Sequence, residues 1–386
     1  MTELMIDMLN SQSSEAPIQF TEYGIPIHNL WHMLLYAWNE VPLTNYPVME
    51  DAYAERAPTL DALLASILTN LMQQRLRIGL GHGYVDEERM LRGIRGRINF
   101  AESLKNLTLE RGQMICKFQR YSANSLKNQI IRSTLARLVK AGHFGSSDTP
   151  FGRRTAPEAD SVKELGYKLR RLIRDLDGID FIELTPELIH RQQLVHHDRD
   201  YRLMLAICDL VLQRQMPGSS GSGTAIPALD REALVLHNIY ERFVANFYRI
   251  HLAGWNVTAQ KRLEWHVKEA NAHLPLMVPD LVLQQDSSGA LIVLDTKFTA
   301  HSLIENQWGK AIYDSSHLYQ LYAYLKSQEH LSEAHRTATG ILLYPAIQTR
   351  FSDRIDLQDY TIRIESIDLT APWQEIEEYL IELVYR

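Results

Sequence analysis

Three residues in the last third of the chain have the types and spacing to do chemistry together. Asp280 stands in Val278-Pro279-Asp280-Leu281-Val282-Leu283, which reads as an apolar strand (277–284) with an acid near its start. A turn from Gln285 to Gly289 leads into a second apolar strand, Leu291-Ile292-Val293-Leu294-Asp295-Thr296-Lys297, so 14 residues separate Asp280 from Asp295. Side chains alternate along a strand, which puts Asp295 and Lys297 on one face, and a hairpin brings Asp280 beside them. Two converging carboxylates make an oxygen site for a hard divalent cation, magnesium first and manganese as the alternative. A lysine next to them can orient or deprotonate an attacking water, or stabilise developing negative charge. That is the chemistry of metal-assisted phosphodiester hydrolysis. An acid at a strand end followed by Asp-x-Lys in a turn also arises without any chemistry, so the flanking elements decide its weight.

Two flanks carry suitable residues. Glu241, in Tyr240-Glu241-Arg242-Phe243, lies on a helix read over Leu234–His251 and can supply a third metal-binding carboxylate. Gln320 and Tyr324 lie four apart on a helix read over 316–328 and share a face. Gln320 can hold water or phosphate, whereas Tyr324 suits the core or a DNA backbone contact. Glu241 as a plain exposed helix acid is the alternative for that position.

These candidates need a sheet to hold them, and the pattern around them provides one. After the helix at 234–251 come an extended run at 256–267, the two apolar strands, the helix at 316–328, strands at 338–345 and 360–369, and a closing helix at 373–384. Helix, three strands, helix, strand, strand, helix describes an α/β layer with a mixed central sheet. Upstream the pattern is mostly helical. Leu60, Leu63, Leu64, Ile67, Leu68 and Leu71 repeat at three and four, giving a helix over 59–78. An aromatic-rich helix is read over 28–38. Further helices follow around Leu126–Val139, over 158–176 and over 200–215, and short alternating runs at 83–98 and 114–121 suggest a small sheet. Pro217-Gly218-Ser219-Ser220-Gly221-Ser222-Gly223 cannot pack a core and marks the best boundary. The expected division is a loose tail at 1–23, an α+β, mostly helical N-terminal domain at 24–216, a flexible linker at 217–229 and an α/β domain at 230–386.

Composition narrows the classes further. Of 386 residues, 45% are apolar and 23% charged, ample for a buried core, and the net charge of -7 excludes a generally basic nucleic-acid coat. Two cysteines, Cys116 and Cys208, exclude a disulfide framework and a cysteine-rich zinc site, read as buried packing residues, and suit a reducing cytoplasmic setting. No apolar run is long enough to span a bilayer, and the acidic start is no secretory signal. Residues 225–386 hold 14 Lys+Arg against 21 Asp+Glu, while Arg89–Lys140 holds 12 basic residues and only Glu102 and Glu110 as acids. Such a basic segment can meet phosphate or an acidic protein face, or be a set of solvated helix and hairpin faces. No G-x-x-x-x-G-K-[ST] or G-x-S-x-G occurs, so neither nucleotide hydrolysis by this chain nor a serine hydrolase has support. His196-His197-Asp198 reads as an exposed polar turn.

The helical Glu, Pro-Asp, Asp-x-Lys and Gln-x-x-x-Tyr stand in the order of the PD-(D/E)xK nuclease fold, including its RecB-like branch. The resemblance goes further. Ile25-Pro26-Ile27-His28-Asn29-Leu30 and Met33-Leu34-Leu35-Tyr36-Ala37-Trp38 resemble the opening signature of the McrC family, the nuclease subunits of McrBC-type modification-dependent restriction systems. Gly93-Ile94-Arg95-Gly96-Arg97-Ile98-Asn99-Phe100-Ala101 and Asn128-Gln129-Ile130-Ile131-Arg132-Ser133-Thr134-Leu135 resemble its second and third blocks. Altogether the similarity spans roughly residues 24–386. It implies a magnesium-dependent endonuclease acting on double-stranded DNA with modified cytosine, its N-terminal part docking on and stimulating a hexameric McrB-like AAA+ GTPase. It further implies Asp280 and Asp295 as metal ligands and Lys297 as the catalytic lysine, with Glu241 and Gln320 at positions more variable in this fold. Two other readings compete: a regulatory module that activates the ring with little cutting of its own, and a stand-alone metal-dependent nuclease. The acidic charge of the C-terminal half disfavours the latter, since non-specific DNA affinity scales with the phosphates neutralised.

Overall fold

The computed structural model describes residues 21, 23–38, 57, 59–141, 156–192, 194, 198–215, 228–267, 269, 273–298, 303–305, 311–346 and 350–386. The tail up to residue 20, the run Pro217–Gly223 and the pair His196-His197 lie outside them. In chain order the elements are α1 (Ile27–Ala37), α2 (Leu60–Ile78), β1 (Gly83–Leu91), β2 (Arg97–Ile98), α3 (Phe100–Lys105), β3 (Met114–Ser122), α4 (Leu126–Lys140), α5 (Ala156–Asp175), α6 (Pro186–His190), α7 (Arg199–Gln215) and α8 (Ala228–His251). They continue with β4 (Trp255–Ala259), β5 (Leu281–Gln285), β6 (Leu291–Thr296), β7 (Leu303–Glu305), β8 (Ala311–Tyr313), α9 (Ser315–Gln328), α10 (Glu333–Arg336), β9 (Thr339–Ala346), β10 (Ser352–Leu357), β11 (Tyr360–Asp368) and α11 (Trp373–Tyr385). The long helices expected from apolar spacing all form. Among the described residues no helix is long and apolar enough to cross a membrane.

The chain divides into two compact units, residues 61–219 and residues 1–60 with 220–386. This differs from the expected split, which grouped everything from 24 to 216. Leu30, Met33 and Leu34 of α1 are fully buried, and that apolar face is covered from the far end of the sequence. Asn29 Nδ2 donates to the carbonyls of Leu369 (2.8 Å) and Ala371 (2.9 Å). Tyr36 OH donates to Glu377 Oε1 at 2.7 Å and meets His251 Nε2 at 2.8 Å. Periodicity shows that a helix has an apolar face but not which distant segment covers it.

In the unit of residues 61–219, α2, α4 and α7 bury Leu64, Leu68, Ile130, Leu135, Ile207 and Val211. A three-stranded sheet in the order β1-β3-β2 is antiparallel throughout. Gly96 holds a left-handed conformation (φ +68°), and a Cβ there would come within 2.3 Å of the Lys117 carbonyl, so the Gly93–Ala101 block admits only glycine at this turn. Asn128, in the block Asn128–Leu135, ties two loops together by donating to the carbonyls of Gly81 (2.8 Å) and Ala123 (2.7 Å). Its Oδ1 accepts from Tyr201 OH at 2.6 Å. Asp198, expected in an exposed turn, is instead buried and paired with buried Lys127 at 2.7 Å. Cys116 and Cys208 are buried free thiols, as packing residues should be.

The other unit is built on a mixed six-stranded sheet in the order β10-β11-β9-β6-β5-β4. Strands β4, β5 and β6 run antiparallel in succession, β6, β9 and β11 run parallel, and β10 closes the edge antiparallel. Such near-continuous apolar strands as Leu291–Thr296, buried at every position, require cover on both faces. On one face Val282 and Val293 join Leu321, Tyr324 and Leu325 of α9 in a single apolar cluster. The chemistry-bearing ends of β5 and β6 are thereby fixed against α9.

Candidate active site

Asp280 does not lie within a strand as expected. It occupies a bend one residue before β5, and its backbone carbonyl accepts the Gln260 N–H at 2.9 Å. Its side chain crosses to the end of β6, where Oδ2 accepts both the Thr296 N–H (2.7 Å) and the Thr296 hydroxyl (2.6 Å). Asp295, one residue earlier on β6, pairs in register with Leu342 of β9 and is only 2% exposed. Burial and the charge of Asp280 raise its carboxyl to about 6, against the opposing pull of Lys297.

Lys297 follows β6 directly, and its backbone N–H continues the parallel ladder to the Leu343 carbonyl at 3.0 Å. Its ammonium pairs with Asp295 Oδ2 and donates to Gln320 Oε1 at 2.7 Å. Gln320 in turn donates through Nε2 to Tyr324 OH (2.8 Å), which donates to the Val278 carbonyl at 3.3 Å. Gln320 and Tyr324 therefore act as one hydrogen-bonded strut from α9 to the lysine. Tyr324 is buried, and burial with the nearby Asp295 charge pushes its phenol to about 12.

Glu241 reaches the same neighbourhood from α8. Burial first, and then the charge of Asp280, raise its carboxyl above the usual range. Its Oε1 accepts from Gln260 Nε2, and His237 lies 4.0 Å away on the same helix. Gln260 holds a left-handed backbone conformation (φ +47°), which ends β4 and shortens the extended run expected over 256–267. A non-glycine residue kept in that region costs on the order of 1 kcal/mol and persists where its neighbours fix it.

Asp280, Asp295 and Lys297 thus come together, Gln320 joins them through the lysine, and Glu241 stands beside Asp280 in the grip of Gln260. Among the described residues no three His, Cys, Asp or Glu side chains form a cage for a metal ion. The chemistry of the donors still fits magnesium, which commonly takes one or two protein carboxylates and completes its shell with water and phosphate. Acids outnumber the single lysine, and a buried carboxylate with a raised pKa has a deficit of positive charge that a cation would fill. Three further contributors are Thr296, Gln260 and His317. His317 meets Tyr344 OH at 2.9 Å, and burial and the Lys297 charge lower its pKa. The hydroxyl inside Asp-Thr-Lys was visible in the sequence, but nothing marked the other two.

Comparison with known proteins finds similar chains. A curated relative, the "Type IV methyl-directed restriction enzyme EcoKMcrBC" of Escherichia coli (strain K12), is 26% identical over 365 residues, covering 93% of this chain and 97% of that protein. Among solved structures, the half-complex of Thermococcus gammatolerans McrB AAA+ hexamers with bound McrC aligns with TM-score 0.43 at 15% identity, over 93% of this chain and 76% of that one. The McrBC complex of the same organism aligns with TM-score 0.34 at 17% identity, over 59% of each chain. The family model described as "McrBC 5-methylcytosine restriction system component" matches residues 10–345. On that match, which spans most of its length, the chain belongs to the McrBC 5-methylcytosine restriction system component family.

Proposed function

We propose that this chain is the DNA-cutting subunit of a modification-dependent restriction complex, with a PD-(D/E)xK nuclease fold in the unit that carries the mixed sheet. The observation that carries the reading is the convergence of Asp280, Asp295, Lys297 and Gln320 at one end of β5 and β6. Asp280 and Asp295 would hold a magnesium ion, with manganese as a substitute and Glu241, oriented by Gln260, as a further ligand. When bound there, the ion would supply Lewis-acid polarisation of the scissile phosphate. Lys297, held by Gln320 and Tyr324, positions the attacking water and stabilises charge on the phosphate oxygens as it develops. Asp295, buried beside Lys297, keeps the ammonium at the reacting end of the sheet.

Recognition and energy supply belong to a partner in this reading. The family and the relative's name point to methylated DNA, and the Thermococcus assemblies pair McrC with McrB AAA+ hexamers. The sequence has no phosphate-binding loop, so nucleotide hydrolysis falls to that AAA+ partner, a GTPase of the McrB type. Residues 61–219 would dock on it. Tyr84 (73% exposed), Tyr121 (64%) and Ile94 (68%) on and beside the small sheet offer the kind of aromatic and apolar surface that protein interfaces use.

Plasmid cleavage tests this. With 5-methylcytosine DNA, Mg²⁺, GTP and the AAA+ partner, wild-type chain cuts, and Asp280→Ala lowers cutting at least about 100-fold. Withholding the partner or chelating the metal abolishes it. Cutting by Asp280→Ala at the wild-type rate would move the nuclease to another subunit.

A further inference from the structure

Thr296 fills the open middle place of Asp-Thr-Lys, where the motif itself asks for nothing. We propose that it is a positioning residue that presents Asp280 to the metal, an inference that rests on the nuclease reading above. Asp280 needs such help because it lies in a bend ahead of β5, where no ladder fixes its side chain. The β5–β6 pairing ends at Leu281 and Leu294, so the N–H of Thr296 meets no strand carbonyl on that side. The Asp280 carboxylate takes that place. Oδ2 accepts the N–H at 2.7 Å and the hydroxyl at 2.6 Å, so two donors from one residue lock a single oxygen.

Two consequences follow for the ion. No described residue donates a hydrogen bond to Oδ1, which is therefore the oxygen left for a cation. The clamp itself is rigid: Thr296 is 1% exposed, and its branched Cβ restricts χ1, so the hydroxyl has little freedom to turn away. The N–H bond would survive any substitution at 296. The hydroxyl bond is specific to the residue type and separates a positioning role from simple packing. Partners that orient a ligating carboxylate from behind are typically worth about 10–100-fold in metal affinity.

The test is Mn²⁺ binding by the full-length chain, followed by electron paramagnetic resonance, without partner, DNA or turnover. Thr296→Val keeps the shape and removes the hydroxyl; Thr296→Ser keeps the hydroxyl; Asp295→Asn reports on the site itself. Binding should weaken about 10–100-fold in Thr296→Val and stay within about 3-fold of wild type in Thr296→Ser. Melting in EDTA should show Thr296→Val folded, its transition lowered by about 3–12 °C for the lost hydroxyl bond, and Thr296→Ala replaces the valine variant if that one folds poorly. Equal Mn²⁺ affinity in wild type and Thr296→Val, with Asp295→Asn impaired, overturns the role of Thr296 and leaves the nuclease reading standing. Wild-type binding that is absent, or indifferent to Asp295→Asn, overturns the nuclease reading and the proposal with it.

Discussion

Asp295→Asn should make the protein more stable while removing the proposed cutting activity. The carboxyl of Asp295 moves from an ordinary value of 3.8 to about 6 on folding, because it is buried and faces Asp280. A raised carboxyl pKa means the folded chain holds this proton more tightly than the unfolded one. The ionised form therefore costs stability, at about 1.4 kcal/mol per pKa unit, or up to about 3 kcal/mol here. The attraction of Lys297 is already contained in that net shift. The sign with pH follows. Below pH 4 both states carry the proton and there is no penalty; between about 4 and 6 it grows; above 6 it is complete. Asparagine fills the same volume without the charge, and Lys297 keeps Gln320 as an acceptor. In EDTA at pH 7.5, Asp295→Asn should melt higher by up to about 6–12 °C, a gap that shrinks as the pH is lowered toward 4. Added Mn²⁺ should raise the wild-type melting temperature and leave the variant unmoved. The assay is thermal denaturation of both chains from pH 5 to 8, with and without Mn²⁺. A variant that melts lower than wild type, or a gap independent of pH, would show that ionised Asp295 carries no such cost.

Two further substitutions probe the supports. Lys127→Met strands Asp198 as a buried charge and should cost about 3–5 kcal/mol, read as a lowered melting temperature of residues 61–219; adding Asp198→Leu should recover much of it. Gln260→Ala releases Glu241 from its hydrogen bond and should lower cleavage about 10-fold in the assembled complex, with partner GTP hydrolysis unchanged.

The elements that could be read from the sequence were those whose residues declare themselves locally. The apolar spacing of α2, α4, α7 and α9 and the apolar runs of β5, β6, β9 and β11 each appear within a few residues of the expected bounds. Strand β10 was not legible, because Ser352–Leu357 is a mostly exposed edge whose apolar alternation is confined to Ile355 and Leu357 and broken by Asp353. The same limit applies at the site. Asp280, Asp295 and Lys297 could be grouped because a hairpin joins them. The hold of Gln260 on Glu241 could not, since it depends on a left-handed turn at the end of β4 that no spacing rule marks. The burial of Asp198 was misread because its partner Lys127 lies 71 positions away in sequence. The placement of α1 with residues 220–386 was missed for the same reason, Asn29 finding its acceptors 340 and 342 positions downstream.

We propose that phosphodiester hydrolysis takes place at the end of β5 and β6 in this chain. It is tested most directly by following GTP turnover and cutting of 5-methylcytosine plasmid in one reaction, with Asp280→Ala beside wild type in complex with the AAA+ partner. Unchanged GTP turnover with at least about a 100-fold loss of cutting is the expected result. Cutting that persists at the wild-type rate while GTP turnover also persists would contradict it.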